Sequence, residues 1–187
     1  MRMGKKREIT DIFDKNCKRT GKTIMRGEKP KEGEYLMAAT GIVRVKESYL
    51  VTKRSPMKSM GGKWEFPGGG SRTGEEPIDT LFRELREETG IVARPEQTTF
   101  LRQVYYEKFQ LFMQVFLVET DARREELKLQ EEEVSDAMFV NHRELEQLYS
   151  YMTDLDKQIY TEAVSPILLP RKPGISSRNH VSEQVYL

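Results

Sequence analysis

Cysteine is almost missing from these 187 residues. Cys17 stands alone, so no internal disulfide can staple the fold, and a reducing, cytoplasmic setting is the plain expectation. No apolar run approaches the length needed to cross a bilayer. The basic start, MRMGKKREITDIF, is not followed by the apolar segment of a secretory signal. Charge of one sign is also lacking. The formal net charge of +1 gives no global pull toward nucleic acid or an anionic membrane, so any phosphate recognition must be local. The sequence carries no internal repeat and no low-complexity tract. The length suits one domain with extensions, large enough to bury a core without staples.

What is present alternates between strand and helix signals. Glu8 to Phe13 and Cys17 to Met25 read as two short strands around the turn-forming Asp14-Lys15-Asn16, and residues 27–33 as a loop. LMAATGIVRV, Leu36 to Val45, suits a buried central strand; Tyr49 to Arg54 repeats the signal after a short connection. Ser55 to Lys63 reads as a loop, and Trp64-Glu65-Phe66 as a short apolar piece leading into Pro67-Gly68-Gly69-Gly70. A helix is predicted from Pro77 to Thr89. Proline suits a first helical position and Gly90 suits the left-handed terminus. Thr98–Glu107 and Gln110–Glu119 form a predicted hairpin, Ala122 to Glu133 a charged connection, and Asp136–Val140 a strand. His142–Tyr149 and Asp154–Val164 are predicted helices, with a tail from 166. The expected organisation is an N-terminal extension with a hairpin over 1–35, a domain over 36–165 and a tail over 166–187.

The chemistry concentrates in the helix. Ile78, Leu81, Phe82 and Leu85 define one apolar face at i, i+3, i+4, i+7. Glu84, Glu87 and Glu88 form a second stripe, about 115° around the helix from the first. Like charges at this spacing repel by about 0.2–0.5 kcal/mol per pair. Arg83 and Arg86 offset part of that, and a hard divalent cation would offset far more. A solvated charged face would look the same by periodicity alone.

The fixed spacing of nine residues separates the two. Gly69, Glu75, Arg83, Glu84, Leu85, Glu87, Glu88, Gly90 and Ile91 match every specified position of the Nudix box, and the preceding Trp64-Glu65-Phe66-Pro67-Gly68 resembles its usual lead-in. The chain therefore resembles the Nudix (MutT-like) hydrolases over about residues 36–150. The resemblance implies an α+β fold, an α/β/α sandwich with a mixed β-sheet between helices. It implies hydrolysis of the diphosphate linkage in a nucleoside diphosphate joined to another group, with Mg2+, or Mn2+ in its place, as cofactor. Glu84, Glu87 and Glu88 would hold the metal and Glu75 would reach it through water. Arg83 would orient a glutamate, and Gly69 and Gly90 would permit tight turns. The general base lies in the box or on a later loop, where Glu131, Glu132 and Glu133 stand; Glu133 is the favoured residue there. Arg54, at a strand end before the glycine-rich loop, is the candidate phosphate contact. Trp64, Tyr105 and Tyr106 could stack on a base, although Trp64 suits core packing better.

Two other readings share the resemblance. An isopentenyl diphosphate isomerase-like enzyme would need a cysteine in the segment Glu65–Gly70, which has none. A non-catalytic nucleotide-binding Nudix regulator would be expected to carry a degraded box, whereas this one is complete. The expected partner is a small nucleoside diphosphate derivative, with no nucleic acid and no membrane; a homodimer is compatible with the extension or the last helix as an interface. The substrate is not marked.

Overall fold

The computed structural model describes residues 8–168. The basic start and most of the expected tail therefore lie outside the described residues. Among the described residues nine strands fall into two sheets. Strands β1 (Ile9–Phe13) and β2 (Arg19–Met25) form the expected N-terminal hairpin. Its second strand begins two residues later than predicted, because Cys17 sits in the left-handed region at φ 60° and belongs to the turn.

The main sheet is mixed. The central strand β3 (Leu36–Val45) pairs in parallel with β8 (Leu111–Glu119) along nine residues, from Leu36 opposite Leu111 to Arg44 opposite Glu119. On its other side β3 pairs antiparallel with β6 (Gly68–Gly70) and, at its far end, with β4 (Ser48–Arg54). β4 pairs in turn with β5 (Trp64–Glu65) and β9 (Val134–Asn141), and β7 (Thr98–Tyr106) closes the opposite edge against β8. The Gly68–Gly70 stretch, expected as a loop, is thus a strand. Its glycines give no strand signal, and its pairing depends on β3 rather than on its own propensity.

Alternation along β3 assigns its two faces. Ala39 and Val43 pack with Leu81 and Leu85 of helix α1 (Pro77–Thr89). Ala38 and Ile42 pack with Leu145, Ile159 and Val164 on the C-terminal helices and with Met152 between them. Helices therefore cover both faces, as the sandwich expectation requires. The C-terminal helices are α2 (His142–Leu148) and a run of α3 (Asp154–Ile159), a π-type turn (Tyr160–Val164) and α4 (Ser165–Leu168), so the helix expected over Asp154–Val164 is present without a gap, and the run carries a π-type turn in its middle. Among the described residues no helix is long and apolar enough to cross a membrane.

Behind the site sits an acid with no counterpart in the sequence reading. Asp156 is buried, accepts from the Phe66 amide at 2.9 Å and from the Thr153 hydroxyl, and so ties α3 to the segment entering β6. Burial, followed by the nearby Glu65, pushes its carboxyl from 3.8 up to about 7. A folded state that holds this proton more tightly than the unfolded chain is favoured at low pH and loses that advantage as pH rises from about 4 through about 7. Asp156→Asn keeps an acceptor for Phe66 and should flatten part of that slope, whereas Asp156→Ala should cost about 1–3 kcal/mol by orphaning the Phe66 amide. Thermal midpoints followed across this pH range check both. An unchanged slope in the asparagine variant would count against the assignment.

Candidate active site

Helix α1 starts and ends where predicted. Pro77 occupies its first turn, and Gly90 terminates it at φ 77°, with its amide bonded to the Arg86 carbonyl at 3.1 Å. A side chain at Gly90 would be strained by this backbone and would sit 3.0 Å from the Lys128 Cβ. The acidic stripe faces β6. Glu84 and Glu88 are buried, while the Glu87 side chain keeps 36% of its exposure. The charged stripe is therefore an interior feature rather than a solvated one.

Gly69 serves close approach rather than a turn. A Cβ there would stand 2.6 Å from the carboxyl carbon of Glu84, so only glycine lets that carboxylate lie against the strand.

Arg83 organises the carboxylates. Its Nε donates to Glu75 Oε1 at 2.7 Å and its Nη2 to Glu75 Oε2 at 3.0 Å. Nη2 also donates to the Gly70 carbonyl at 3.1 Å; Nη1 serves Glu84 at 2.7 Å and Glu87 at 3.2 Å. All five guanidinium hydrogens thus have an acceptor. Glu75 also accepts from the Arg72 amide at 3.0 Å and from the Thr80 hydroxyl at 3.0 Å. Burial opposes its charge, but Arg83 and these donors outweigh it and hold the carboxyl down at about 2.

Glu88 has the opposite balance. Among the described residues its carboxylate accepts one hydrogen bond, from the Gly68 amide at 3.1 Å. Burial first, then the charges of Glu84 and Glu65, push its carboxyl up to about 8. Burial likewise raises Glu84 against the pull of Arg83. The interior thus holds neighbouring carboxylates whose charges oppose one another.

The other expected residues sit around this centre. Glu133 lies on the loop returning from β8, which is held to the end of α1 by the Lys128 amide on Thr89 at 2.9 Å; its side chain pairs with Lys58. Arg54 pairs with Glu65 and donates through Nε to the Ser59 carbonyl at 2.9 Å, so it enters the site's charge network by way of Glu65. Trp64 packs on the core and carries Lys53 over its ring at 5.6 Å, as core packing anticipated. Tyr105 meets Tyr35 edge-on and Phe112 at a tilt, and Tyr106 lies edge-on against Phe109. Sequence reasoning missed Arg72, which bonds to Glu8 at 2.6 Å and reaches Glu87 at 3.5 Å. Its position inside the box loop was the available signal.

Among the described residues no three carboxylate, imidazole or thiol groups converge on a metal-sized point; Arg83 draws Glu75, Glu84 and Glu87 toward itself instead. The donor set nevertheless suits a hard divalent cation. It is all oxygen, and buried carboxylates that raise one another's proton affinity are what such an ion compensates.

The NUDIX domain model matches residues 35–162, from β3 into the π-type turn. The chain belongs to the Nudix hydrolase family. Within that family it is 34% identical over 146 residues to an uncharacterized Nudix hydrolase of Listeria monocytogenes, covering 76% of this chain and 85% of that one. It is 37% identical over 73 residues to the 8-oxo-dGTP diphosphatase of Escherichia coli, covering 38% and 55%. Among solved structures, a Deinococcus radiodurans protein superposes with a TM-score of 0.67 at 18% identity, covering 82% of this chain and 98% of that one. The MutT protein of Methanosarcina mazei superposes with a TM-score of 0.59 at 24% identity, covering 75% and 96%. These structures establish the Nudix fold.

Proposed function

We infer that this Nudix protein is a magnesium- or manganese-dependent hydrolase that cleaves the diphosphate linkage of a nucleoside diphosphate derivative. The observation that carries the reading is the Arg83 hub, which fixes Glu75, Glu84 and Glu87 beside a glycine strand with Glu88 buried next to them. Glu84, Glu87 and Glu88 would hold the cation, with Glu75 reaching it through water. When bound, the divalent ion neutralises phosphate oxygens and acidifies an attacking water. The protein's own task is then positioning and charge stabilisation.

Arg83 keeps the carboxylate oxygens aimed and its own charge fixed, because its hydrogens are all committed. Glu133, held by Lys58, is the favoured proton acceptor for the attacking water, with a glutamate of the box as the other choice. Arg54 would reach a phosphate by releasing Glu65. Related proteins bear on substrate class: one relative is named an 8-oxo-dGTP diphosphatase, others RNA pyrophosphohydrolases, and one structural neighbour is described in complex with ADP ribose. A cytoplasmic, reducing location fits the same reading.

The test is a panel of nucleoside triphosphates, oxidised nucleotides and nucleoside diphosphate conjugates, each with magnesium or manganese, read as phosphate after phosphatase coupling. Metal-dependent release that chelation abolishes is expected from at least one class. Binding of nucleotides without turnover across the panel would overturn the hydrolase reading.

A further inference from the structure

Residues 8–28 precede the matched domain, yet they line a slot against the Gly70–Arg72 segment of the box loop, whose Arg72 reaches Glu87. The hairpin clamps the loop that leads into α1. The Thr73 amide donates to the Ile9 carbonyl at 2.9 Å, the Thr10 hydroxyl to the Ser71 carbonyl at 2.8 Å, and the Gly74 amide to Asp11 at 2.9 Å. Between the hairpin and Gly70–Arg72 lies a slot of about 80 Å³. Met25, Leu36 and Met37 give it an apolar wall, and Arg26 and Arg72 give it charge.

The two arginines share Glu8 but differ in commitment. Arg72 donates to Glu8 at 3.0 and 2.6 Å and contacts Glu87 at 3.5 Å. Among the described residues Arg26 has one hydrogen-bonding side-chain partner, Glu8, and its side chain is 51% exposed. What burial it has opposes its charge, which Glu8 favours first and Glu84 and Glu133 favour next. The guanidinium therefore lies within the field of both the box helix and the returning loop. If Arg26 moved off Glu8, Arg72 would keep both of its bonds to that carboxylate, so the exchange would leave no orphaned charge. A planar fork with spare donors matches phosphate oxygens.

We propose that Arg26 is a substrate-contacting residue: it exchanges Glu8 for a non-bridging oxygen of the bound diphosphate, which makes the N-terminal hairpin part of the substrate-binding surface. The proposal rests on the diphosphate-hydrolase reading above. It is tested with methylenediphosphonate, a diphosphate whose bridging oxygen is replaced by carbon, titrated into the full chain with magnesium. Mn2+ binding and thermal midpoint are followed in parallel.

Arg26→Gln should weaken the diphosphonate by about ten- to a hundredfold, the value of a charge-assisted hydrogen bond. Arg26→Lys should recover part of it, the midpoint should stay at the wild-type value, and Mn2+ binding should not weaken, since Arg26→Gln removes a positive charge near the box helix. Glu8→Gln breaks the same ion pair from the other side, so it should retain binding if Arg26 touches the ligand and should copy the loss if the pair is merely structural. Equal affinity in wild type and Arg26→Gln overturns the proposal, as does parallel loss in Glu8→Gln. A wild-type chain that takes up neither Mn2+ nor the diphosphonate overturns the underlying reading as well. One that takes up both, with Arg26 indifferent, overturns this inference alone.

Discussion

Glu88→Gln lowers turnover by about 10²–10³ on whichever diphosphate the wild type cleaves, the usual cost of removing one preorganised electrostatic element. Glutamine retains the acceptor for the Gly68 amide and nearly the same volume, so the fold persists. What disappears is a carboxylate that burial, then Glu84 and Glu65, already hold at about 8. The stability consequence runs the other way from activity. A folded carboxyl near 8 against an unfolded value near 4.5 destabilises the metal-free protein progressively as pH rises between the two. The metal-free thermal midpoint of Glu88→Gln should thus meet that of wild type near pH 4.5 and exceed it at about pH 8. Glu87→Gln should also lose most activity, with a smaller change in stability, because its side chain is partly exposed. Near-normal rates in both variants would refute the site assignment.

Arg83→Ala has the largest expected effect on stability. It strands the buried Glu84 and frees Glu75 and Glu87 at once, and removing one partner of a buried pair costs about 3–5 kcal/mol. Activity should fall with it. Arg83→Lys keeps the charge but has three donors and no planar fork, so it should recover part of the stability and little of the turnover. Glu75 supplies an independent readout. Its carboxyl, held at about 2, lends stability above its ordinary 4.5 that is lost as pH falls toward 2. In Arg83→Ala the acid-unfolding curve should lose that portion of its slope. Denaturant midpoints and acid titrations check both, and an alanine variant as stable as wild type would contradict the hub.

The elements most legible in the sequence were those whose signals are local. Pro77 and Gly90 bounded α1 correctly, and Ile78, Leu81, Phe82 and Leu85 proved to be its core face. The box spacing marked the carboxylates. What could not be read depends on partners distant in the chain. β6 is a strand only because Ala38–Thr40 pair with it, and the parallel pairing of β3 and β8 joins residues 75 positions apart, as Leu36 with Leu111. The burial of Glu84 and Glu88 required knowing that a glycine strand passes over the stripe. Asp156 was unremarked because its partners, Phe66 and Glu65, lie about ninety residues earlier. Arg72 and Arg26 became meaningful only when the extension folded back on the loop.

That fold-back has a consequence during synthesis. Phe112, which shares a cluster with Phe13, follows it out of the ribosome about a hundred residues later. At the usual elongation speed the first hairpin waits on the order of 5–20 s for its docking surface. Over that interval its apolar side chains are exposed to neighbouring nascent chains and to chaperones. The hairpin can bond to Tyr35 and to the Ser71–Gly74 loop well before Phe112 completes its apolar contact, so its seating is stepwise.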